Sequence, residues 1–211
     1  MLDLLHATWL YAQSHAAEFW RALADHLLLV AVSLSISMVI SIPIGIWSSR
    51  GQRTAVIDAL STFRVVPSIA VLFLAIPFFG LSRTSAIIAL TLLAFPPILI
   101  NTDAAYRTIN PAIREAATGM GMTAGQVWQR VETPLALPVI LAGIRTATVE
   151  LVASATLAAF IGVGGLGLFV VRGFALYDIS ILLVGAIPVA LLALFIDLTL
   201  SGVQHRIQVS T

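Results

Sequence analysis

The sequence predicts an all-α, polytopic membrane protein, and three observations carry that prediction. Of its 211 residues 59% are hydrophobic and only 10% are charged, where a soluble domain carries about a quarter charged residues. The mean hydropathy of +1.03 means more apolar surface than a core of this size absorbs, so lipid serves as solvent for much of the chain. The apolar residues fall into long runs separated by short polar stretches that hold most of the charge. A backbone crossing lipid must satisfy its own hydrogen bonds, which favours helices here.

Charge and composition exclude several functions. A net charge of +1 does not suit a nucleic-acid binder, which needs a strongly basic surface. Every basic residue is arginine, so the GxxxxGK[ST] phosphate loop, whose lysine reaches the nucleotide phosphates, is absent. If ATP is used, another chain hydrolyses it; no enzymatic activity and no bound cofactor are expected here. Without cysteine there is no disulfide, no Cys-ligated zinc and no thiol nucleophile. The four histidines, His6, His15, His26 and His205, are scattered and match no metal spacing.

Residues 1–25 set Leu2, Leu5, Trp9, Ala12, Ala16, Phe19, Trp20 and Leu23 three and four apart, with polar residues between them. This reads as an amphipathic helix in the membrane interface, its tryptophans at headgroup depth. A signal peptide needs a basic start, and the first arginine is Arg21, so the segment is expected to be retained. The first uncharged span runs over 27–47; Ser33, Ser35, Ser37 and Ser41 suit helix–helix contacts, and Pro43 with Gly45 should bend its end. A second segment rises through Ala55–Leu60 and is uncharged over 65–81, kinked at Pro67 and Pro77. A third covers about 85–100, with Pro96 and Pro97 near its end, after which Asn101, Asp103 and Arg107 announce water. A fourth covers 135 to about 160, and a fifth 179–201 with Pro188 inside. The expected whole is about five transmembrane helices, with 26–205 as a single domain.

Loop 48–54, segment 101–133 and the C-terminal tail hold Arg50, Arg53, Arg107, Arg114, Arg130 and Arg206, against Arg21, Arg83 and Arg172 on the other side. The arginine-rich side should be cytoplasmic, which puts the N-terminus outside and the C-terminus inside.

The longest stretch too polar to span is Ile109 to Pro138. Asn110 caps a helix that Pro111 opens, with Ala112, Ile113, Ala116, Ala117 and Met120 on one face and Arg114 and Glu115 off it. Gly119 and Gly121 stop it in a left-handed turn. Thr123 caps a second helix through Val131, and Pro134 ends that one. On pattern alone the apolar face either packs on the chain's own bundle or waits for a partner.

Glu115-Ala116-Ala117, three residues, Gly121, nine residues, Val131, one residue, Thr133-Pro134 resembles the EAA loop of ABC importer permeases (binding-protein-dependent, with a MetI-like transmembrane domain). That pattern has isoleucine where Val131 stands and leucine where Thr133 stands. VVPSIAVLFLAIPFFG, NTDAAYRTINPAIREAATGMGMT, PLALPVILAGIRTATVE and TLAAFIGVGGLG extend the likeness over about 25–205, toward the branch that imports glycine betaine, choline and carnitine as osmoprotectants. Permeases for methionine share this layout. The resemblance implies a bacterial cytoplasmic (inner) membrane location and a coupling helix within 107–134 that docks into a separate cytoplasmic ATPase. Glu115, Ala116, Ala117, Gly119, Gly121, Val131 and Pro134 would carry that coupling. It also implies ATP on the partner subunit, a second permease copy (identical or homologous), and a separate extracytoplasmic substrate-binding protein, since the chain stops at Thr211.

The motif GVGGLG at 162–167 fits the dinucleotide fingerprint GxGxxG, but that fingerprint needs a strand before it and a helix after it. It reads instead as a flexible extracellular turn, Gly162, Gly164, Gly165 and Gly167, where the binding protein lands or a gate closes. Arg145, Glu150 and Asp197 are ionisable groups inside apolar spans, and such groups are functional candidates. Arg145 and Glu150 lie about 140° apart around a helix and do not share a face. Arg145 reads as snorkelling to the interface, with the translocation path as the other reading. Glu150, aligned with Ala147 and Ser154, is expected either to line the path and offer a carboxylate to a cationic headgroup or to make an interhelical hydrogen bond. Asp197 reads as an end-of-helix anchor.

Two other classes compete with an ATP-driven importer: an ion-coupled secondary transporter, which would show paired broken helices in two related halves, and a scaffold that recruits a partner without transporting.

Overall fold

The computed structural model describes residues 2–51 and 66–210, so the predicted rise through Ala55–Leu60 and the loop residue Arg53 lie outside the described residues. Every regular element among those residues is helical. They are α1 (Leu2–Ser14), α2 (Ala16–Ser49), α3 (Ser68–Phe79), α4 (Arg83–Arg107), α5 (Pro111–Gly119), α6 (Ala124–Val127), a π turn (Trp128–Glu132), α7 (Thr133–Ala155), a 3-10 turn (Thr156–Ile161), α8 (Gly167–Ala175) and α9 (Ile179–Ser210). Four helical runs are long and apolar enough to cross a membrane: Ala16–Ser49, Arg83–Arg107, Ala124–Ile161 and Ile179–Ile207. The second expected segment contributes the 12-residue apolar helix α3.

The amphipathic helix predicted over 1–25 breaks at His15, and its second half is the start of α2. Ser14 Oγ donates to the Tyr11 carbonyl at 2.9 Å, the His15 ring Nδ1 lies 3.1 Å from the same oxygen, and the His15 ring stacks on Tyr11 at 4.1 Å. Side chains competing for a backbone carbonyl favour a local break over a continuing helix.

At the centre of the bundle, α4 packs between α2 and α7. On α2 the residues facing it recur every four positions: Ser33, Ser37 and Ser41 are fully buried, and Gly45 follows. Ser33 Oγ donates to the Ile87 carbonyl at 3.4 Å and Ser41 Oγ to the Phe95 carbonyl at 3.3 Å. A Cβ at Gly45 would lie 2.7 Å from Thr102 Cβ, and one on Gly143 of α7 would lie 2.6 Å from Asn101 Cβ. Small residues bring all three backbones close, the usual device where lipid supplies no hydrophobic drive between helices. Ser35 is the exception in the serine series: it is exposed and turns back to its own helix, on the Ala31 carbonyl.

Pro96 and Pro97 do not end α4, which runs on to Arg107. Of the three polar residues expected to meet water, Arg107 is exposed and Asn101 half-buried, while Asp103 is only 5% exposed. Arg107, one turn on, neutralises Asp103 with hydrogen bonds of 3.0 and 2.7 Å, as a buried carboxylate requires. The main core joins Leu29, Leu72, Leu90, Ile98, Leu151 and Val152 from α2, α3, α4 and α7.

Candidate functional site

The polar stretch between α4 and α7 folds as a helical hairpin at the end of the bundle where α2 and α4 finish and α7 begins. Asn110 Oδ1 accepts the Ala112 N–H at 3.0 Å, and Pro111 sits where its missing N–H costs nothing. At the other end of α5, Gly121 N–H reaches the Thr118 carbonyl (2.9 Å) and Met122 N–H the Ala117 carbonyl (3.2 Å). That pair of bonds is a Schellman closure, and it places Gly121 at φ 84°, where a side chain is strained. Gly119, by contrast, is an ordinary helical residue.

The apolar face of α5 is open. Ala112, Ile113, Ala116 and Met120 are all exposed, Met120 at 76%, and only Ala117 is buried. Glu115 stands exposed beside them. Among the described residues, the chain's own bundle leaves this face uncovered.

After the turn, Thr123 and Gln126 form a reciprocal capping box, with bonds of 3.4 and 2.9 Å. The second helix does not end at Pro134. It passes through the π turn and continues as α7, so Thr123 caps a run that reaches Ile161. The π turn inserts one residue and lets Pro134, which has no N–H, fall in the first turn of α7. Thr133, where the family pattern has leucine, closes the insertion: its backbone N–H and its hydroxyl (2.8 Å) both meet the Trp128 carbonyl, and its Oγ1 lies 3.2 Å from the Tyr106 hydroxyl of α4. Val131 and Pro134 are half-buried. The predicted coupling residues thus divide in two. Glu115, Ala116, Gly119 and Gly121 are on the surface, while Ala117 is buried and Val131 and Pro134 are half-buried.

Sequence reasoning passed over two side chains here. Arg114 Nη2 donates to the Tyr106 carbonyl at 2.8 Å, and its Nε lies 2.5 Å from Glu132 Oε1. Glu132, 12% exposed, also faces Arg50 at 3.9 Å. Glu132 falls between Val131 and Pro134 and on no apolar pattern, so only the tertiary contact exposes its role.

Within the spans, Arg145 is paired. It makes two hydrogen bonds to Asp197 of α9, at 2.6 and 2.7 Å, so Asp197 is its partner and not an isolated anchor. Opposite charges inside apolar spans pair with one another, and two such residues on different spans were the available signal. The pair borders a cavity of about 480 Å³ with Thr146, Val149, Glu150 and Gln204. Glu150 is exposed, Ser154 is half-buried and does not line this cavity, and Ala147 is in the core.

At the opposite end, the 162–167 turn is largely packed away. Val163, Gly165, Leu166 and Gly167 are buried, Gly164 is half-buried, and Gly162 is exposed. Gly165 (φ 86°) lies against the His26 ring, and a Cβ at Gly167 would fall 2.0 Å from the Thr156 carbonyl oxygen. Ion pairs fasten this end: Arg83 to Asp25 at 2.7 Å, and Arg172 to Glu18 at 2.5 and 3.0 Å. The Glu18 carboxylate, with the Tyr11 hydroxyl behind it, pushes the Arg172 guanidinium further above its ordinary pKa.

Known proteins share this arrangement. The glycine betaine/carnitine/choline transport system permease protein OpuCB of Bacillus subtilis is 35% identical over 199 residues, 93% of this chain and 92% of its own. The carnitine transport permease protein OpuCB of Listeria monocytogenes is 40% identical over 185 residues, 87% of this chain and 85% of its own. Among solved structures, the MetNI methionine ABC transporter in an inward-facing conformation contains a chain that superposes with a TM-score of 0.79 at 24% identity, covering 92% of this chain and 98% of that one. The family model described as binding-protein-dependent transport system inner membrane component matches residues 37–209. With most of its length inside that match, the chain belongs to this family of membrane components of binding-protein-dependent transport systems.

Proposed function

We propose that the chain is the permease subunit of an ATP-driven importer for a quaternary-amine osmoprotectant of the glycine betaine, choline or carnitine type. The observation that carries this reading is the uncovered apolar face of α5, held out by its Asn110 cap and Gly121 closure, in a chain whose relatives transport those amines. Glu115, Ala116 and Gly121 meet a groove on a separate ATPase, which binds and hydrolyses the ATP. The hairpin end lies in the cytoplasm, the N-terminus outside, and a second permease copy completes the path. A separate binding protein delivers the substrate. Rigid-body movement of the ATPase is passed through the docked helix to the spans. The cavity beside Arg145, Asp197 and Glu150 lies on the path, where Glu150 offers a carboxylate to the cationic headgroup.

Co-purification with an ABC ATPase, followed by uptake from proteoliposomes with the binding protein present, tests the proposal. Betaine, choline or carnitine accumulation that needs ATP supports it. Uptake driven by a sodium or proton gradient without ATP would make the chain a secondary transporter, and ATP-dependent uptake of methionine alone would move the substrate class. Glu150→Gln separately tests the path: assembly should persist and uptake should fall, while unchanged uptake would return Glu150 to a structural role.

A further inference from the structure

We infer that Glu132, gripped by Arg114, is the positioning residue through which movement of α5 reaches the membrane spans. The inference rests on the coupling role of α5 proposed above and names the part that transmits it.

An exposed helix joined to a bundle by turns at both ends would lose an applied displacement in those turns unless something stiff bridged them. Only Ala117 of α5 is buried against the rest of the chain. The Arg114 side chain supplies the bridge. Its guanidinium meets two oxygens: Nη2 donates to the Tyr106 carbonyl near the end of α4, and Nε stands in ion-pair contact with the Glu132 carboxylate at the foot of α7. Glu132 in turn faces Arg50 at the end of α2, while the Tyr106 hydroxyl meets Thr133, the next residue along the α7 run. Arg114 and Glu132 together therefore tie α5 to the ends of three spans. The Arg50 contact, at 3.9 Å and with Arg50 mostly exposed, adds little; Arg114–Glu132 is the working link. Above it the helix is continuous to Arg145 and Glu150, so displacement of the foot is delivered to the charged cavity.

The test uses the complete complex of permease, ATPase and binding protein in proteoliposomes. Arg114→Gln and Glu132→Gln should each leave the ATPase bound and hydrolysing, yet lower substrate carried per ATP by about tenfold, a mid-range coupling for residues in direct contact. The double variant should be no worse than either single one, and Glu132→Asp should recover part of the loss. An unchanged ratio of uptake to hydrolysis in the assembled single variants would overturn the inference. The cysteine-free chain allows a second arm that does not depend on those variants. With Arg114→Cys and Glu132→Cys present together, a short flexible bismaleimide should restore coupling that the unlinked pair lacks. Equal transport with and without the linker, or transport abolished by it, would overturn the link. If no ATPase co-purifies with the unaltered chain, the importer reading fails and this inference falls with it, an outcome separate from a changed transport ratio.

Discussion

The hairpin at 109–134 and the glycine turn at 162–167 look alike in sequence: each interrupts a helical run with glycines, and each reads as a surface for a partner. The structure treats them in opposite ways. At the hairpin, Gly121 takes a positive φ with nothing within 4 Å of a would-be Cβ. In the turn, Gly167 has a carbonyl oxygen where its Cβ would go. One glycine is there for the path of the backbone and the other for the space beside it. The contrast teaches that glycine-rich composition marks a place where the backbone does something unusual, and leaves open whether that place faces outward or inward.

Gly167→Ala should have the largest effect. The new methyl meets backbone, which does not yield, so overpacking should cost about 3 kcal/mol. Both membrane abundance and thermal stability in detergent should drop, and full abundance with normal melting would break the contrast. Gly121→Asp comes next and separates the two properties. Its left-handed backbone costs about 1 kcal/mol, so the subunit should remain in the membrane, while uptake should be lost because bulk and charge now stand on the proposed docking face. Normal uptake would remove the coupling role of this turn. Thr133→Val keeps the shape and deletes the hydroxyl bond over the π turn, for about 1 kcal/mol of stability; a melting curve checks it, and an unchanged midpoint would show the backbone bond sufficient. Gly125→Ala, at an exposed helical position with open space around it, should raise stability by roughly 0.5 kcal/mol, read by the same curve.

What was legible in the sequence follows the range of the interaction involved. Spans and caps depend on local hydropathy and on neighbours three or four residues away, so the four long helices, the Asn110 cap and the Gly121 closure were readable at once. The serine series was readable because its period of four is itself local, although Ser35 departs from it. The break at His15, the passage of the helix through Pro134 and the buried state of the 162–167 turn each depend on what packs against them. Arg145 with Asp197, and Arg114 with Glu132, join residues that only the fold brings together. The apolar face of α5 was visible as a pattern, but its exposure depended on where the rest of the bundle did not go. The substrate class came from relatives and not from the cavity, whose charged lining fits many small ions.

The helical run from Ala124 to Ile161, π and 3-10 turns included, spans 38 residues, which at about 1.5 Å each is about 57 Å, close to twice the hydrocarbon thickness of a bilayer. A rod of that length behaves as a lever. A tilt of only about 5° about its foot would carry its far end sideways by roughly 5 Å, one helical pitch. The 162–167 turn rides on that far end, locked to it by Gly167 against Thr156. A displacement too small to notice at the hairpin would therefore arrive at the far end of the run amplified.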